Sequence, residues 1–503
     1  MKTVTLTGSS LDAAAVCRIG VDGAAVRLDP RAVERVARNR AALEEAIARG
    51  DTIYGVTTGL GALVRERFSL EQAVSAQRDV LRSHAAGVGE PLPPEVVRAA
   101  IAVRLNGLLH GHSGVRPLVV EGVAALLNAG IVPRVPRTGS LGASGDLAPS
   151  AHAFLVLIGE GEVLGAGGGA RPAAGALAEA GLGALELAPK EALALVNGTH
   201  FMAGIGALLA VRVGRLLDTA DAVAALSLEA LRGEAQPFDA RVHELRPLPG
   251  QARSAAVVRA LIAGSERVGT RERDVQDAYS LRCVPQVHGA AREGLGFFAG
   301  LVATDLNAVT DNPLVFDDPE VISAGNFHGQ SLALGFDVLR LSLADAASIS
   351  ERRAFRLLSP SLNHGLPAFL SPEAGSSSGY MVTQYTAAAL VGELRALAHP
   401  VSVDTVPTSD NQEDHVSMGM TGALLALEAV ERAETVVAIE ALCAAQAIDL
   451  VPGAPGAGAA RLHALVRERV PALEEDRPPS ADIEAVKALV ARGDLAVVVA
   501  EVA

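Results

Sequence analysis

The tripeptide Ala143-Ser144-Gly145 can make an electrophile out of its own backbone. If the chain bends tightly there, the Gly145 nitrogen can attack the Ala143 carbonyl, because glycine has no side chain to block the approach and adopts φ/ψ values closed to other residues. Loss of water at that carbonyl, and again from the Ser144 side chain, leaves an exocyclic methylidene on a five-membered imidazolone. No side chain is a comparable electrophile. A catalyst that must activate an amine or an electron-rich ring without a bound cofactor has a reason to build one. Taken alone, the tripeptide reads more simply as a polar turn ahead of Pro149.

Other residue types along the chain could serve such a group, each with a plainer reading beside it. Tyr54 opens the glycine-rich run Tyr54-Gly-Val-Thr-Thr-Gly-Leu-Gly61, which places a phenol at the hinge of a loop; the plain reading is a buried loop tyrosine. His84 precedes the small-residue turn Ala-Ala-Gly, where a histidine is usually structural. Asn197, in Asn197-Gly-Thr199, carries an amide that both donates and accepts, and could equally cap a helix. Gln276, Tyr279 and Arg282 recur at three-residue intervals, and a planar guanidinium is a natural bidentate clamp for an α-carboxylate; the alternative is an amphipathic segment with ordinary surface polars. Phe327 sits in Gly325-Asn-Phe327-His-Gly329. Gln412 and Glu413 lie in Asn411-Gln412-Glu413-Asp-His415. An interior carboxylate must be paired or shift its pKa, which makes Glu413 an acid–base candidate, against the alternative of a solvated helix charge. His110 and His112 have no carboxylate or thiolate at ligand spacing, so no metal site is expected.

The rest of the chain must hold these groups in place. With 503 residues, half of them hydrophobic, it can bury a large core. A net charge of −14 argues against a nucleic-acid partner. Cys17, Cys283 and Cys443 are too few and too scattered for a disulfide framework, which suits a reducing cytoplasm. The N-terminal stretch lacks a continuous apolar core, and the apolar runs elsewhere are cut by charge, so no export signal or membrane span is expected.

Apolar residues at helical spacing over residues 30–49 predict a helix. Residues 190–231, 293–307, 329–357, 375–400 and 419–449 predict long helices rich in Ala, Leu and Val. The fold class is therefore mainly α, a long central helical bundle with a small mixed N-terminal region. Helices of about 30 residues reach roughly 45 Å. Such long, apolar helices need partners on several sides, which favours a bundle completed by other subunits. Short strands are expected at 3–7, 131–135 and 161–164, and a flexible excursion over 165–183. The nominal dinucleotide fingerprint Gly165-x-Gly167-x-x-Ala170 lacks the strand–turn–helix context that would support it. Two regions are expected: a mixed one with the Tyr54 loop over 1–110, and a helical one over 111–503 ending in a C-terminal brace after Pro478.

Thr138-Gly-Ser-Leu-Gly-Ala-Ser-Gly-Asp-Leu-Ala-Pro149 resembles the prosthetic-group loop of the histidine and aromatic amino-acid ammonia-lyases, which carry 4-methylideneimidazole-5-one (MIO). The Tyr54, His84, Asn197, Gln276–Arg282, Asn312–Phe327 and Asn411–Gly419 segments resemble the same family, so the likeness runs from about residue 50 to about 450. It implies MIO formed from Ala143, Ser144 and Gly145 with no external cofactor, and non-oxidative deamination of an amino acid. Tyr54 is implied as the base that takes the β-proton, Asn197 as the partner of the prosthetic group, and Tyr279 as a positioning and proton-handling residue. Arg282 is implied for the substrate carboxylate, Phe327 for packing on the prosthetic group, His84, Gln276 and Gln412 for substrate binding, and Glu413 for the substrate amine or imidazole. It further implies a homotetramer whose sites combine residues of several subunits. The Ser83-His84, Asn326-Phe327-His328 and Gln412-Glu413-Asp414-His415 strings point to L-histidine, giving urocanate. Thr57, Leu60, Ala278, His200 and Phe201 depart from the usual pattern, which keeps a tyrosine or phenylalanine ammonia-lyase or 2,3-aminomutase as the alternative, and a non-catalytic helical scaffold as a remote one.

Overall fold

A computed structural model describes residues 3–61, 65–67, 69–165, 168–271, 275–318, 320–371 and 373–502. Gly167 of the glycine-rich run therefore lies outside the described residues. Helices dominate. The described strands are short and lie in two-stranded pairs: Val4–Leu6 with Val26–Leu28 in parallel, and Val88–Pro91 with Pro136–Thr138, Glu162–Leu164 with Ala170–Pro172, and Leu314–Val315 with Val321–Ile322 antiparallel.

The chain forms two compact units. The first comprises Met1–Val211, Phe298–Phe336 and Pro400–Leu424, the second Arg212–Phe297, Asp337–His399 and Leu425–Ala503. Both sides of the boundary expected at residue 110 lie within the first unit.

In the first unit, helix starts are set by local chemistry. Asp29 caps Pro30–Ala48 through the Arg31 and Ala32 amides, with proline at the first helical position. Ser69 and Gln72 form a reciprocal capping box at the start of Leu70–His84, which delivers His84 at its last residue. The stretch predicted as one helix over 190–231 is broken into Glu191–Val196 and His200–Ala230. Asn197 turns extended, and Gly198 takes φ 147°. A Cβ at 198 would meet Thr310 Oγ1 at 2.6 Å and the Arg104 guanidinium at 2.9 Å, so only glycine fits and the helix must stop. The strand expected over 131–135 forms directly after that range, at Pro136–Thr138. The excursion over 165–183 includes a strand and the helix Ala173–Glu179.

The helix His200–Ala230 is long and apolar enough to cross a membrane by length and composition, which the charge pattern had not led us to expect; 67% of its most apolar window is buried inside the protein, as in a core helix. In the second unit, three long helices are tied by a charge cluster. Arg353 of Gln330–Leu358 donates to Glu440 of Gly419–Leu450 at 2.6 and 2.8 Å. Ser227 and Ser350 donate to the same carboxylate at 2.7 and 2.6 Å. Both ionic side chains are fully buried. Removing one member leaves the other charged and unpaired in the interior. Glu440→Ala is therefore expected to cost about 3–5 kcal/mol, read as a lowered denaturant midpoint.

Candidate active site

Residues 142–145 reverse the chain completely. Gly142 and Gly145 pair across the reversal, each with φ 77°, leaving Ala143 and Ser144 at the tip. A Cβ on Gly145 would run into the Gly198 carbonyl, so the turn packs backbone to backbone against the break between the two helices. Hydrogen bonds fix both ends. Ser417 Oγ donates to the Gly142 carbonyl at 3.3 Å, Met418 N–H to the Leu141 carbonyl at 2.9 Å, and Asp146 N–H to the Gly198 carbonyl at 2.8 Å. A tight glycine-flanked turn with no space for a side chain at 145 fits a backbone closed between residues 143 and 145.

Asn197 and Glu413 approach this tip from other segments. Asn197 is 3% exposed. Its Nδ2 donates to the Ser144 carbonyl at 2.8 Å, while its Oδ1 is buried without a hydrogen-bond partner. It thus ends a helix, as the plainer reading held, and also reaches the turn. Ser144 Oγ donates to Glu413 Oε1 at 3.1 Å, and Thr408 Oγ1 donates to Glu413 Oε2 at 2.7 Å. Glu413 is not on a helix. It pairs with Thr408 across a turn in which Ser409, Asp410 and Asn411 all adopt left-handed φ of 51–62°, a conformation Asp and Asn tolerate.

Two adjoining cavities of about 530 and 380 Å³ share Tyr54, Gly61, Ser144, Asn312, Phe327 and Glu413 in their walls. Ala143 and Gln412 line the first, His84 and Asn197 the second. The Tyr54 hydroxyl accepts from Gly61 N–H at 2.9 Å; burial, reinforced by the Glu413 charge, pushes its pKa up. His84 Nδ1 donates to the Val80 carbonyl at 2.9 Å, which leaves Nε2 as the acceptor of the neutral ring. Burial lowers the His84 pKa against the opposing pull of that bond and of Glu413.

Three of the expected residues are not brought to these cavities. Gln276, Tyr279 and Arg282 belong to the second unit. Gln276 is exposed, Tyr279 is 71% exposed, and the Arg282 guanidinium lies 4.5 Å from the Tyr279 ring centroid. Arg282 Nε is buried without a hydrogen-bond partner. Residues the sequence reading left out are Asn312, which lines both cavities and accepts from Ala324 N–H at 2.7 Å, and Asp146. Each stood inside a quoted motif, but only the fold shows what it touches.

Asp146 follows the turn directly and is fully buried. Its Oδ2 accepts from Phe201 N–H at 2.9 Å and Met202 N–H at 3.0 Å, capping the helix His200–Ala230 from a distant part of the sequence. Oδ1 has no partner. Burial pushes the carboxyl up to about 7 against those two bonds.

Residues 11–468 match the aromatic amino acid lyase family. A histidine ammonia-lyase of Anaeromyxobacter sp. strain K is 49% identical over 98% of this chain and all of its own length. The crystal structure of histidine ammonia-lyase from Trypanosoma cruzi superposes with a TM-score of 0.92 at 39% identity, covering 99% of this chain and 95% of that one. A tyrosine aminomutase from Streptomyces globisporus gives 0.96 at 37% identity, covering 100% and 99%. The fold is one that ammonia-lyases and aminomutases share. The chain belongs to the aromatic amino acid lyase family.

The raised Asp146 carboxyl has a stability signature. Between its ordinary value of 3.8 and about 7, the folded chain keeps a proton that the unfolded chain has released, so this group's contribution to stability falls as pH rises through that window. Asp146→Asn cannot titrate. Unfolding free energies measured across the window are expected to decline less steeply with pH in this variant than in the wild type.

Proposed function

We propose that the protein removes ammonia from L-histidine without oxidation and releases trans-urocanate. The observation that carries this reading is the Gly142–Gly145 reversal, with Asn197 on the Ser144 carbonyl and Glu413 on the Ser144 hydroxyl, at the wall of a cavity that Tyr54 also lines. The histidine ammonia-lyase that is 49% identical over nearly the whole chain supports histidine as the substrate. MIO, formed from Ala143, Ser144 and Gly145 without an external cofactor, supplies the electrophile that draws electron density from the substrate and makes its nitrogen a leaving group.

The chain's own residues do the rest. The β-proton is barely acidic, so its base must be held close and dry. Tyr54 is that base; half-burial beside Glu413 makes its ionised form, once generated, a strong one. Asn197 holds the Ser144 carbonyl and tunes the electrophile. Phe327 walls the prosthetic group, His84 and Gln412 line the substrate pocket, and Glu413 takes the substrate amine or imidazole.

Arg282 clamps the substrate carboxylate, with Gln276 beside it and Tyr279 positioning the substrate and handling a proton. These three do not line the cavity of their own chain. The reading is therefore a homotetramer in which a neighbouring copy supplies them, a reading supported by the exposure of Tyr279 (71%) and Val275 (98%). The three widely spaced cysteines support a cytoplasmic setting.

The likeness to a tyrosine aminomutase keeps a second reading in view, conversion of tyrosine or phenylalanine. Separate incubations with L-histidine, L-tyrosine and L-phenylalanine decide between them. Urocanate and ammonia from histidine are expected, whereas an aryl acrylate or a β-amino acid as the main product would overturn the histidine reading. Ser144→Ala is expected to abolish deamination while the assembly stays intact. Arg282→Lys keeps the charge but loses the planar fork, so KM should rise by about tenfold or more with a smaller effect on kcat.

A further inference from the structure

Behind the turn lies a buried pair that the reaction does not use. Ser150, in the helix Leu147–Leu155, and His200, the first residue of His200–Ala230, are 0% and 2% exposed. Ser150 Oγ lies 2.7 Å from His200 Nε2 and donates to the Asp146 carbonyl at 2.5 Å. A serine hydroxyl has a single proton. With that proton on the Asp146 carbonyl, the contact to His200 is a hydrogen bond only if Nε2–H donates. His200 is therefore the Nε2–H tautomer, and Nδ1 is its bare nitrogen, buried without a partner. The ring packs near Phe154 and Phe201, at centroid distances of 6.2 and 5.5 Å. Burial, with the Arg104 charge nearby, holds its pKa well below the usual range, so the imidazole is neutral. The donors run one way, imidazole to hydroxyl to carbonyl, and each bond polarises the next.

That chain of bonds ends on the residue that follows Gly145. Asp146 is held by its N–H on the Gly198 carbonyl, its carbonyl under the Ser150 hydroxyl, and its carboxylate on the Phe201 and Met202 amides. All of these partners but Ser150 lie in residues 198–202, and Ser150 is tied to that stretch through His200.

We propose that Ser150 and His200 are a positioning pair for maturation of the electrophile, fixing Asp146 so that the Gly145 nitrogen is held against the Ala143 carbonyl while the ring closes. The proposal rests on the reading of Ala143, Ser144 and Gly145 given above. In that closure a bond forms from the Gly145 nitrogen to the Ala143 carbonyl carbon, and the Gly145 amide proton passes to the Ala143 oxygen. That oxygen leaves as water with the Ser144 amide proton. Ser144 then loses its hydroxyl and its Cα hydrogen as a second water. Two waters leave and nothing is oxidised. Neither Ser150 nor His200 lines the substrate cavities, so the pair acts on closure and not on turnover.

Intact mass reads closure directly, because a matured chain is lighter than the encoded one by two waters. The full-length wild type and its Ser150→Ala, His200→Leu and His200→Gln variants would be followed by mass from synthesis onward, with kcat and KM normalised to the lighter fraction. Ser150→Ala and His200→Leu are expected to close about tenfold more slowly, as loss of one buried hydrogen bond to the closing geometry implies. Their lighter chains should turn over with wild-type kcat and KM. His200→Gln, whose amide can still donate to Ser150, should recover closure. Ser150→Ala removes one atom and installs the best helix former, so it keeps the test decisive if His200→Leu does not fold. Wild-type closure rates in Ser150→Ala would overturn the positioning proposal alone. A wild-type chain that keeps its full encoded mass would overturn the electrophile reading and this proposal with it.

Discussion

The close approach of two backbone turns, residues 142–146 and residues 197–199, is the constraint on which the rest of the candidate site depends. Gly145 and Gly198 meet where neither position has room for a side chain, and the amide of Asp146 bonds across the contact. Contact at backbone distance requires that the helix of residues 190–231 stop at Asn197. The break then does two things at once. It exposes the amides at the start of His200–Ala230, which Asp146 caps, and it frees the Asn197 side chain to reach the Ser144 carbonyl.

Charge in the interior is handled by local pairing. Asp146 is buried with one oxygen unpartnered, and burial raises its proton affinity against the two amides that its other oxygen accepts from. Lys190 and Arg104 share Asp311, with the Lys190 ammonium at 2.7 Å and the Arg104 guanidinium at 3.7 Å. Burial first, and then the charge of Arg104, keeps His200 neutral. Glu413 bonds to the Ser144 hydroxyl at the turn tip; its charge adds to the burial that raises the pKa of Tyr54 and opposes the fall at His84.

Much of this was legible in the residues themselves. Long Ala/Leu-rich periodic stretches define the helices of 329–357 and 419–449 to within a residue or two, because helical spacing of apolar side chains records which face is buried. The motif around Ala143-Ser144-Gly145 and the segments bearing Tyr54, His84, Asn197, Phe327, Gln412 and Glu413 were recognisable, and the fold brings all of these to one pair of cavities. The helix break at 198 was marked only by the capping reading of Asn197, because the apolar periodicity continues through it and the contact that forbids a side chain at 198 is tertiary. The turn at 409–411 was not read: Asp410 and Asn411 tolerate a left-handed φ, but the Thr408–Glu413 pairing that closes three such residues in succession is visible only in the fold.

The sequence by itself determined the helical class, the family and the identity of the chemistry-bearing side chains, because residue type and spacing are local properties that survive without a fold. Only the tertiary structure decided which of them meet. Asn197 and Glu413 reach Ser144 across 53 and 269 residues of chain, and Ser150 meets His200 across 50. Gln276, Tyr279 and Arg282, as motif-like as the others, stay outside the cavity of their own chain. Contacts of that range are fixed by packing of whole helices, and packing is a property of the folded surface that no short window of residues contains.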